Sequence, residues 1–400
     1  MFIYAQCPVK KTMGGKVVSD SLIALLMVAL AFLASLISIE TAISVTIIEI
    51  LMGVVGGNFL GLHTTTWIDF LAMTGSIVLT FLAGAEVDVD LMKVKLKESL
   101  LIGGLSFLAP FLAAIAFCYY VAGWNLQASA IAGVALSTTS LAVIYAVLVE
   151  TGLTNSETGK ILMASCFITD LGTAIALSVL FAQVNWTILI YIAVSVLVIV
   201  LAPKTMSRVF ERYGDRVIEP EIKFIFLLLF TLIFVAEIGA SHAVLPAFIL
   251  GLMVSRTFAQ HFQVQRRLRI VSFAMLTPFF FIKAGMNVSL REISMNMALL
   301  AVLFFVKFIP KFIGVYPLAR KFLPQDAMYS TLLMSTGLTF GTISSLFGLN
   351  AGYINVTQFS LLVTTVILSA IVPTFVAQRW FQPDYLITNG NEITSFENEE

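Results

Sequence analysis

Charge is scarce in this chain of 400 residues: 12% of it is Asp, Glu, Lys or Arg, against 59% hydrophobic residues, and the mean hydropathy is +0.98. Soluble domains carry about 25% charged residues, so the composition excludes a sizeable water-facing domain. The 23 basic and 23 acidic residues cancel, which removes the bulk basicity of a nucleic-acid binder. Cysteine is rare too. Cys7, Cys118 and Cys166 lie far apart without metal-site spacing, two of them inside apolar runs, and they read as free thiols. No apolar run gathers a nucleophile, a base and oxyanion donors, or a metal-ligand set. That argues against an enzyme and implies no cofactor.

Long apolar runs are what the chain has. A membrane span needs about 20 largely apolar residues, and thirteen segments approach that length: 20–39, 42–60, 67–87, 99–122, 127–149, 157–182, 186–206, 222–239, 242–256, 268–287, 295–319, 327–348 and 356–378. The expected fold class is an all-α polytopic membrane protein. Lys10, Lys11 and Lys16 precede the first run and no small-residue cleavage site ends it, so it is expected to be retained. An odd number of spans puts the termini on opposite sides. One set of loops collects sixteen Lys and Arg residues, among them Lys93, Lys204, Arg208, Arg256, Arg320 and Arg379, against Lys10, Lys11, Lys16 and Arg291 on the other. The positive-inside rule then places the N-terminal segment, 1–19, outside and the C-terminus in the cytoplasm. The expected membrane is that of a prokaryotic cell. The longest connection, Pro203 to Glu221, mixes both charges and reads as an amphipathic linker between two halves; residues 379–400 read as a short acidic tail.

Inside the spans the polar residues are few and grouped. Asp170 lies mid-run between Ser156 and Ala182, with Thr169 beside it. A carboxylate at bilayer depth is costly, and chains keep one there to handle ions or protons. The preceding run contains Ser137-Thr138-Thr139-Ser140, and the twelfth contains Met334-Ser335-Thr336-Gly337-Leu338-Thr339. Glycine and hydroxyls at mid-membrane weaken a helix, and the hydroxyls can satisfy the freed backbone groups. Either stretch alone could be an ordinary packing face. Paired, each one helix before the end of its half, they point to inverted repeats with two interrupted helices and a site at the midplane. The second half has no counterpart of Asp170: the matching position, Leu368, is apolar.

These residues resemble the monovalent cation:proton antiporter family, the branch of bacterial Na⁺/H⁺ and K⁺/H⁺ exchangers. Ile48-Glu49-Ile50-Leu51-Met52-Gly53 with Gly56-Gly57 resembles the second-helix motif, with Asn58 near where a proline is usual. Phe81-Leu82-Ala83-Gly84-Ala85-Glu86-Val87-Asp88 resembles the "FxxGxExD" end of the third, and Ser137 to Val143 the first broken helix. Phe279 to Met286 resembles "FFxxxGM", and Lys311, nine residues before Arg320, sits where the family has a membrane lysine. The resemblance covers about residues 40–378 in order. Best-known sodium exchangers carry Asp-Asp or Asn-Asp at the ion site where this chain has Thr169-Asp170.

The resemblance implies five-helix inverted repeats with crossed discontinuous helices and elevator-type alternating access. Within a transmembrane domain of 20–378, a mobile core (about 99–182 and 295–378) would move against a scaffold (about 42–87 and 222–287) that also forms a homodimer. Cations and protons would be the only small partners, with the lipid bilayer as surroundings. Desolvation favours a neutral acid and a nearby cation favours a carboxylate, so Na⁺ or K⁺ and H⁺ would compete for Asp170. Thr169, Thr139, Ser140 and Thr138 could add oxygen ligands, or simply back-bond within their own helices. Lys311 is the expected base: it could pair with Asp170, favouring one-for-one exchange, or compensate the negative ends of half-helices. Lys307 shares its helix face, with snorkelling to an interface as the alternative; the same alternative holds for Lys283 near the outer end of its span. Glu49 must be paired or protonated, and Glu86 with Asp88 and Asp90 could form a cation-attracting mouth or a solvated loop. Glu237 and His242 are weaker candidates for sensing pH. A sodium-coupled organic-solute symporter shares the broken-helix plan but would need an anion partner, and no Arg lies inside the spans other than Arg256 and Arg269 at their ends. A membrane sensor or channel on this scaffold is the other alternative, and a sensor would carry a signalling domain.

Overall fold

The computed structural model describes residues 20–41, 44–87, 95–151, 153, 156–181, 186–214, 216–239 and 243–383. The expectations for residues 1–19, Cys7, Asp88, Asp90, His242 and the end of the tail lie outside them. Among the described residues every regular element is a helix. In chain order these are α1 (Asp20–Thr41), α2 (Val45–Asn58), α3 (Thr66–Ala85), α4 (Leu96–Tyr120), α5 (Leu126–Ser137), α6 (Leu141–Glu150), α7 (Glu157–Leu180), α8 (Thr187–Tyr213) and α9 (Pro220–Ile238). There follow α10 (Val244–Gln260), α11 (Phe262–Val271), a π-helical turn (Ser272–Leu276), α12 (Thr277–Met286), α13 (Leu290–Met295), α14 (Met297–Phe322), α15 (Ala327–Met334), α16 (Thr339–Asn350) and α17 (Val356–Trp380).

Nine helical stretches among the described residues are long and apolar enough to cross a bilayer, counting α11 through α12 as one and α15 through α16 as another. The apolar helices α2, α5 and α10 are shorter. Helices stand at each of the thirteen expected segments, but length and composition alone do not set the number of crossings. Polar caps mark several starts. Asn125 and Ser156 accept from Ala128 N and Gly159 N, and Asn355 with Gln358 forms a reciprocal capping box at the head of α17. The outer surface is apolar where α8 exposes Leu189, Val196, Leu197 and Val200, as expected of a chain whose solvent there is lipid.

The connection expected to begin at Pro203 is instead helical to Tyr213, with Pro203 inside α8. The cause is a stripe of Ala202, Met206 and Phe210, four residues apart and all buried, which holds the helix against its neighbours beyond the proline. The mixed charges occupy the other faces of the same helix.

Two groups of close helix pairs organise the packing. Helix α2 lies along α12 and α3 along α10, while α4 packs on α14, α5 and α7. The α2–α12 contact is backbone to backbone. A Cβ on Gly53 would fall 2.1 Å from Ile282 O, and one on Gly285 would fall 2.0 Å from Ile50 O. Small residues allow this approach, which dispersion and close packing then stabilise without help from water. Asn58 closes the far end of the pair: its amide donates to Val288 O at 2.8 Å and its carbonyl accepts from Leu290 N at 3.1 Å. At the entrances of two other helices Lys95, the residue capping α4, donates to Glu157 in the first turn of α7 at 2.5 Å. That hydrogen bond, with the carboxylate's charge, raises the exposed Lys95 ammonium above the ordinary lysine value.

Overpacking a tight contact is destabilising by about 1–3 kcal/mol. Gly285→Val is therefore expected to lower the thermal midpoint in detergent, read by size-exclusion after heating. Gly104→Val, at a position with nothing within 4 Å of the added carbon, is expected to leave it unchanged. Equal midpoints for the two variants would refute the account of the α2–α12 contact.

Candidate functional site

Both expected interruptions are present. Helix α5 ends at Ser137, residues 138–140 are non-helical with Thr138 extended, and α6 begins at Leu141. Helix α15 ends at Met334 and α16 begins at Thr339. The two breaks cross. Thr139 donates its hydroxyl to Met334 O at 3.2 Å, and a Cβ on Gly337 would lie 2.9 Å from Thr138 O. A break leaves carbonyls at the end of the first half-helix and N–H groups at the start of the second, and neither can turn to lipid.

Lys311, on α14, answers one of these ends. Its Nζ donates to Ser137 O at 3.0 Å, Thr138 O at 2.6 Å and Thr139 Oγ1 at 2.8 Å. A cation at a helix C-terminus is favoured by the partial negative charge there. The described ion pairs do not include one between Lys311 and Asp170, so of the two roles foreseen for this lysine the geometry displays compensation of a half-helix end. Lys307 is fully buried, not at an interface, and its Nζ lies 3.3 Å from the same Thr138 O. Snorkelling is thereby overturned for Lys307, because α14 packs this face into the core and the crossing offers an oxygen nearer than any solvent. Lys283, by contrast, reaches Asp69 in the first turn of α3 at 2.8 Å, and the Asp69 side chain is half exposed.

Asp170 is 2% exposed, and its Oδ1 has no hydrogen-bond partner among the described residues. It lies in the middle of α7 and lines a cavity of about 330 Å³ together with Thr139, Thr46, Glu86, Lys160 and Arg269. Lys160 is on the same helix ten residues earlier, so the cavity runs about 15 Å along α7. Basic and acidic side chains line it at one end and the lone aspartate at the other. Of the expected hydroxyl ligands, only Thr139 shares this cavity with Asp170. The Thr169 hydroxyl back-bonds to Ser165 O at 2.9 Å, Thr138 donates to Ala135 O at 3.0 Å, and Ser140 accepts from Val143 N at 3.4 Å in the first turn of α6.

Glu86 lies at the end of α3 and pairs with Arg269 of α11 at 2.8 Å. It lines the cavity as half of an ion pair, not as a free acid. Glu49 is 2% exposed with Oε2 unpartnered, on α2 and one turn from Thr46, but it does not itself line the cavity. Sequence reading missed the contribution of α11. Arg266 and Arg269 read as loop charges, whereas both line the cavity. It also missed Ser106 of α4, whose hydroxyl is 3.4 Å from Thr139 Oγ1. A lone serine in an apolar run gave no signal, while the arginines were visible but had no position. Chemically, the cavity joins a carboxyl oxygen and a hydroxyl oxygen, the donor type that hard monovalent ions prefer, to a charged rim.

A family model described as "Sodium/hydrogen exchanger, transmembrane" matches residues 23–382. Among curated relatives, the probable Na(+)/H(+) antiporter 3 of Methanocaldococcus jannaschii is 29% identical over 84% of this chain and 90% of its own length. A Na(+)/H(+) antiporter of Enterococcus hirae is 24% identical over 87% of this chain and 93% of its own. The fold is similar to the solved structure of the sodium proton antiporter MjNhaP1 from Methanocaldococcus jannaschii at pH 8, with a TM-score of 0.65 at 16% identity over 90% of this chain and 98% of that one. With nine long apolar helical stretches among the described residues and a family match spanning most of its length, the chain is a multi-pass membrane protein of the sodium/hydrogen exchanger family.

Proposed function

We propose that the chain is a secondary transporter that exchanges a monovalent cation, Na⁺ or K⁺, for protons, with the two competing for Asp170. The observation that carries this reading is the buried, singly unpartnered carboxylate at the inner end of a charged-rimmed cavity. A proton neutralises the carboxylate covalently; a cation does so by coordination, with Thr139 Oγ1 and exposed backbone oxygens of the breaks completing a shell. Either neutral state can cross a dry barrier more easily than the bare carboxylate. The named activities of the relatives, all cation/proton exchange, favour this reading over solute symport, and so does a cavity whose inner end holds an acid and no arginine. No bound cofactor enters the scheme, since the ions are cargo.

The proposed motion is elevator-type. Helices α4 to α7 and α14 to α17 would carry Asp170 and both breaks against α2, α3 and α9 to α12, which would also form a homodimer. The packing supports this division, because α4 holds α5, α7 and α14 while the glycine-mediated pairs join α2 with α12 and α3 with α10. By the distribution of Lys and Arg the cavity opens toward the cytoplasm, with the N-terminus outside.

Asp170→Asn is expected to abolish cation-driven proton movement in proteoliposomes carrying an internal pH dye, with an unchanged elution profile in detergent. Pulses of Na⁺, K⁺ and Li⁺ to the wild type name the ion in the same assay; retained exchange in the variant sinks the proposal. Lys311→Ala removes the three hydrogen bonds of the ammonium, and a lost hydrogen bond to a charged group costs about 1.5–3 kcal/mol. Its detergent melting midpoint should fall and the pH dependence of exchange should change; if both match wild type, Lys311 has no part in the site.

A further inference from the structure

Lys311 is fully served at the crossing. Its three N–H donors meet three oxygens, Ser137 O, Thr138 O and Thr139 Oγ1, which is the number an ammonium can use. Lys307, one turn earlier on α14 and equally buried, donates to one oxygen among the described residues, and Lys311 already donates to it. Because both nitrogens touch Thr138 O, their separation cannot exceed two hydrogen-bond lengths. Like charges at that range in a dry interior disfavour each other. The acceptors at the crossing suffice for one ammonium, not for two.

The second amine nevertheless has a place made for it. A Cβ on Gly337 would lie 2.2 Å from Lys307 Nζ and 2.9 Å from both Thr138 O and Thr138 Oγ1. The glycine in the second break thus leaves room for an amine next to the carbonyl end of the first. The titratable groups facing the pair are Asp170 and the buried Cys166 thiol, both on α7, which interact with Lys311. The other elements packed against α14 carry Lys97, Glu98, Cys118, Tyr119, Tyr120, Arg291, Glu292, Tyr329 and Arg379, all in the first or last turns of their helices.

We propose that Lys307 is a second proton-carrying residue of the exchange site, coupled to Lys311 through Thr138 O so that the crossing holds one ammonium charge between two amines. This rests on the exchange reading of Asp170. A cation that takes Thr139 Oγ1 as a ligand removes one of the three acceptors of Lys311. The proton then leaves Lys311 Nζ and lands on the lone pair of Lys307 Nζ: one N–H bond breaks, one forms, and nothing is oxidised or reduced. The charge stays on Thr138 O, where the half-helix end needs it, but moves one turn of α14 away from the incoming cation. Lys307 in this scheme lets the cation displace Lys311 without expelling that proton to water.

The test is the pH dependence of the apparent KM for Na⁺ and for K⁺ in proteoliposomes, measured for wild type and Lys307→Gln. Glutamine keeps an N–H donor for Thr138 O but cannot accept a proton. Cation binding in the variant must then release one more proton to solution, so its KM should rise about tenfold more per unit fall in pH than that of wild type. Gly337→Ala, which pushes the amine off Thr138 O, should steepen the KM–pH slope in the same direction and carries the test if Lys307→Gln does not assemble. A purely structural lysine would shift the melting midpoint and leave the slope as in wild type; that result overturns the proposal. Asp170→Asn in the same vesicles separates the two readings, since exchange surviving there would defeat the role of Asp170 whatever the slope of the lysine variant.

Discussion

A helix broken inside a bilayer exposes carbonyl groups that neither water nor lipid can satisfy, and the core of this protein is arranged around satisfying them. Lys311 supplies three donors to the end of α5 and the first residues of the break. Thr139 links that break to the end of α15 by donating to Met334 O, and Ser369 of α17 reaches Gly337 O at 3.4 Å. Each partner comes from a different helix, so the crossing holds together α5, α14, α15 and α17 at one point. Removing any helix from that point would strand a buried polar group, a loss of about 1–3 kcal/mol apiece.

The demands of the crossing explain why the same neighbourhood suits ion chemistry. An interrupted helix offers backbone oxygens, hydroxyls and oriented dipoles without further side chains. Asp170 adds a buried carboxyl group in the middle of the adjacent α7, with no direct ion pair to Lys311 among the described residues. Buried charges of opposite sign that are not locked together can each respond to an arriving ion. A tight Asp–Lys pair would hold both groups in one state and favour neither cation nor proton.

The surrounding helices solve a different problem. Where α2 meets α12, glycines at 53 and 285 let backbones touch, and Gly103 likewise brings α4 close to Ser165 O of α7. The long polar ties, Asn58 to the residues after α12 and Glu86 to Arg269, join scaffold elements at their ends and leave the middles apolar. Buried charge gathers at the crossing, with Glu49, Glu221, Lys283 and Asp326 buried elsewhere. Lys283 illustrates the boundary: it sits in a glycine-containing motif, is 4% exposed, and reaches from there to the half-exposed Asp69.

The primary sequence carried the helical class, the positions of both breaks and the singularity of Asp170, because a polar residue in an apolar run is conspicuous and the cost of burying it forces a role. The same reasoning could name Lys307 and Lys311 but not separate them: four residues apart on one face, they differ only in which oxygens the second broken helix brings near. It misread the region after Pro203, where a buried period-four stripe outweighed a proline and mixed charge. It also could not see that Thr169 and Thr138 spend their hydroxyls on their own helices while Thr139 faces Asp170, since χ1 and the exact twist of the break decide that. Sequence by itself determined which groups are costly in a membrane and so must be used. Only the tertiary structure decided which of them meet, because the crossing brings together residues 170 or more positions apart, Lys311 with Ser137 and Thr139 with Met334 among them, and no local pattern encodes that distance.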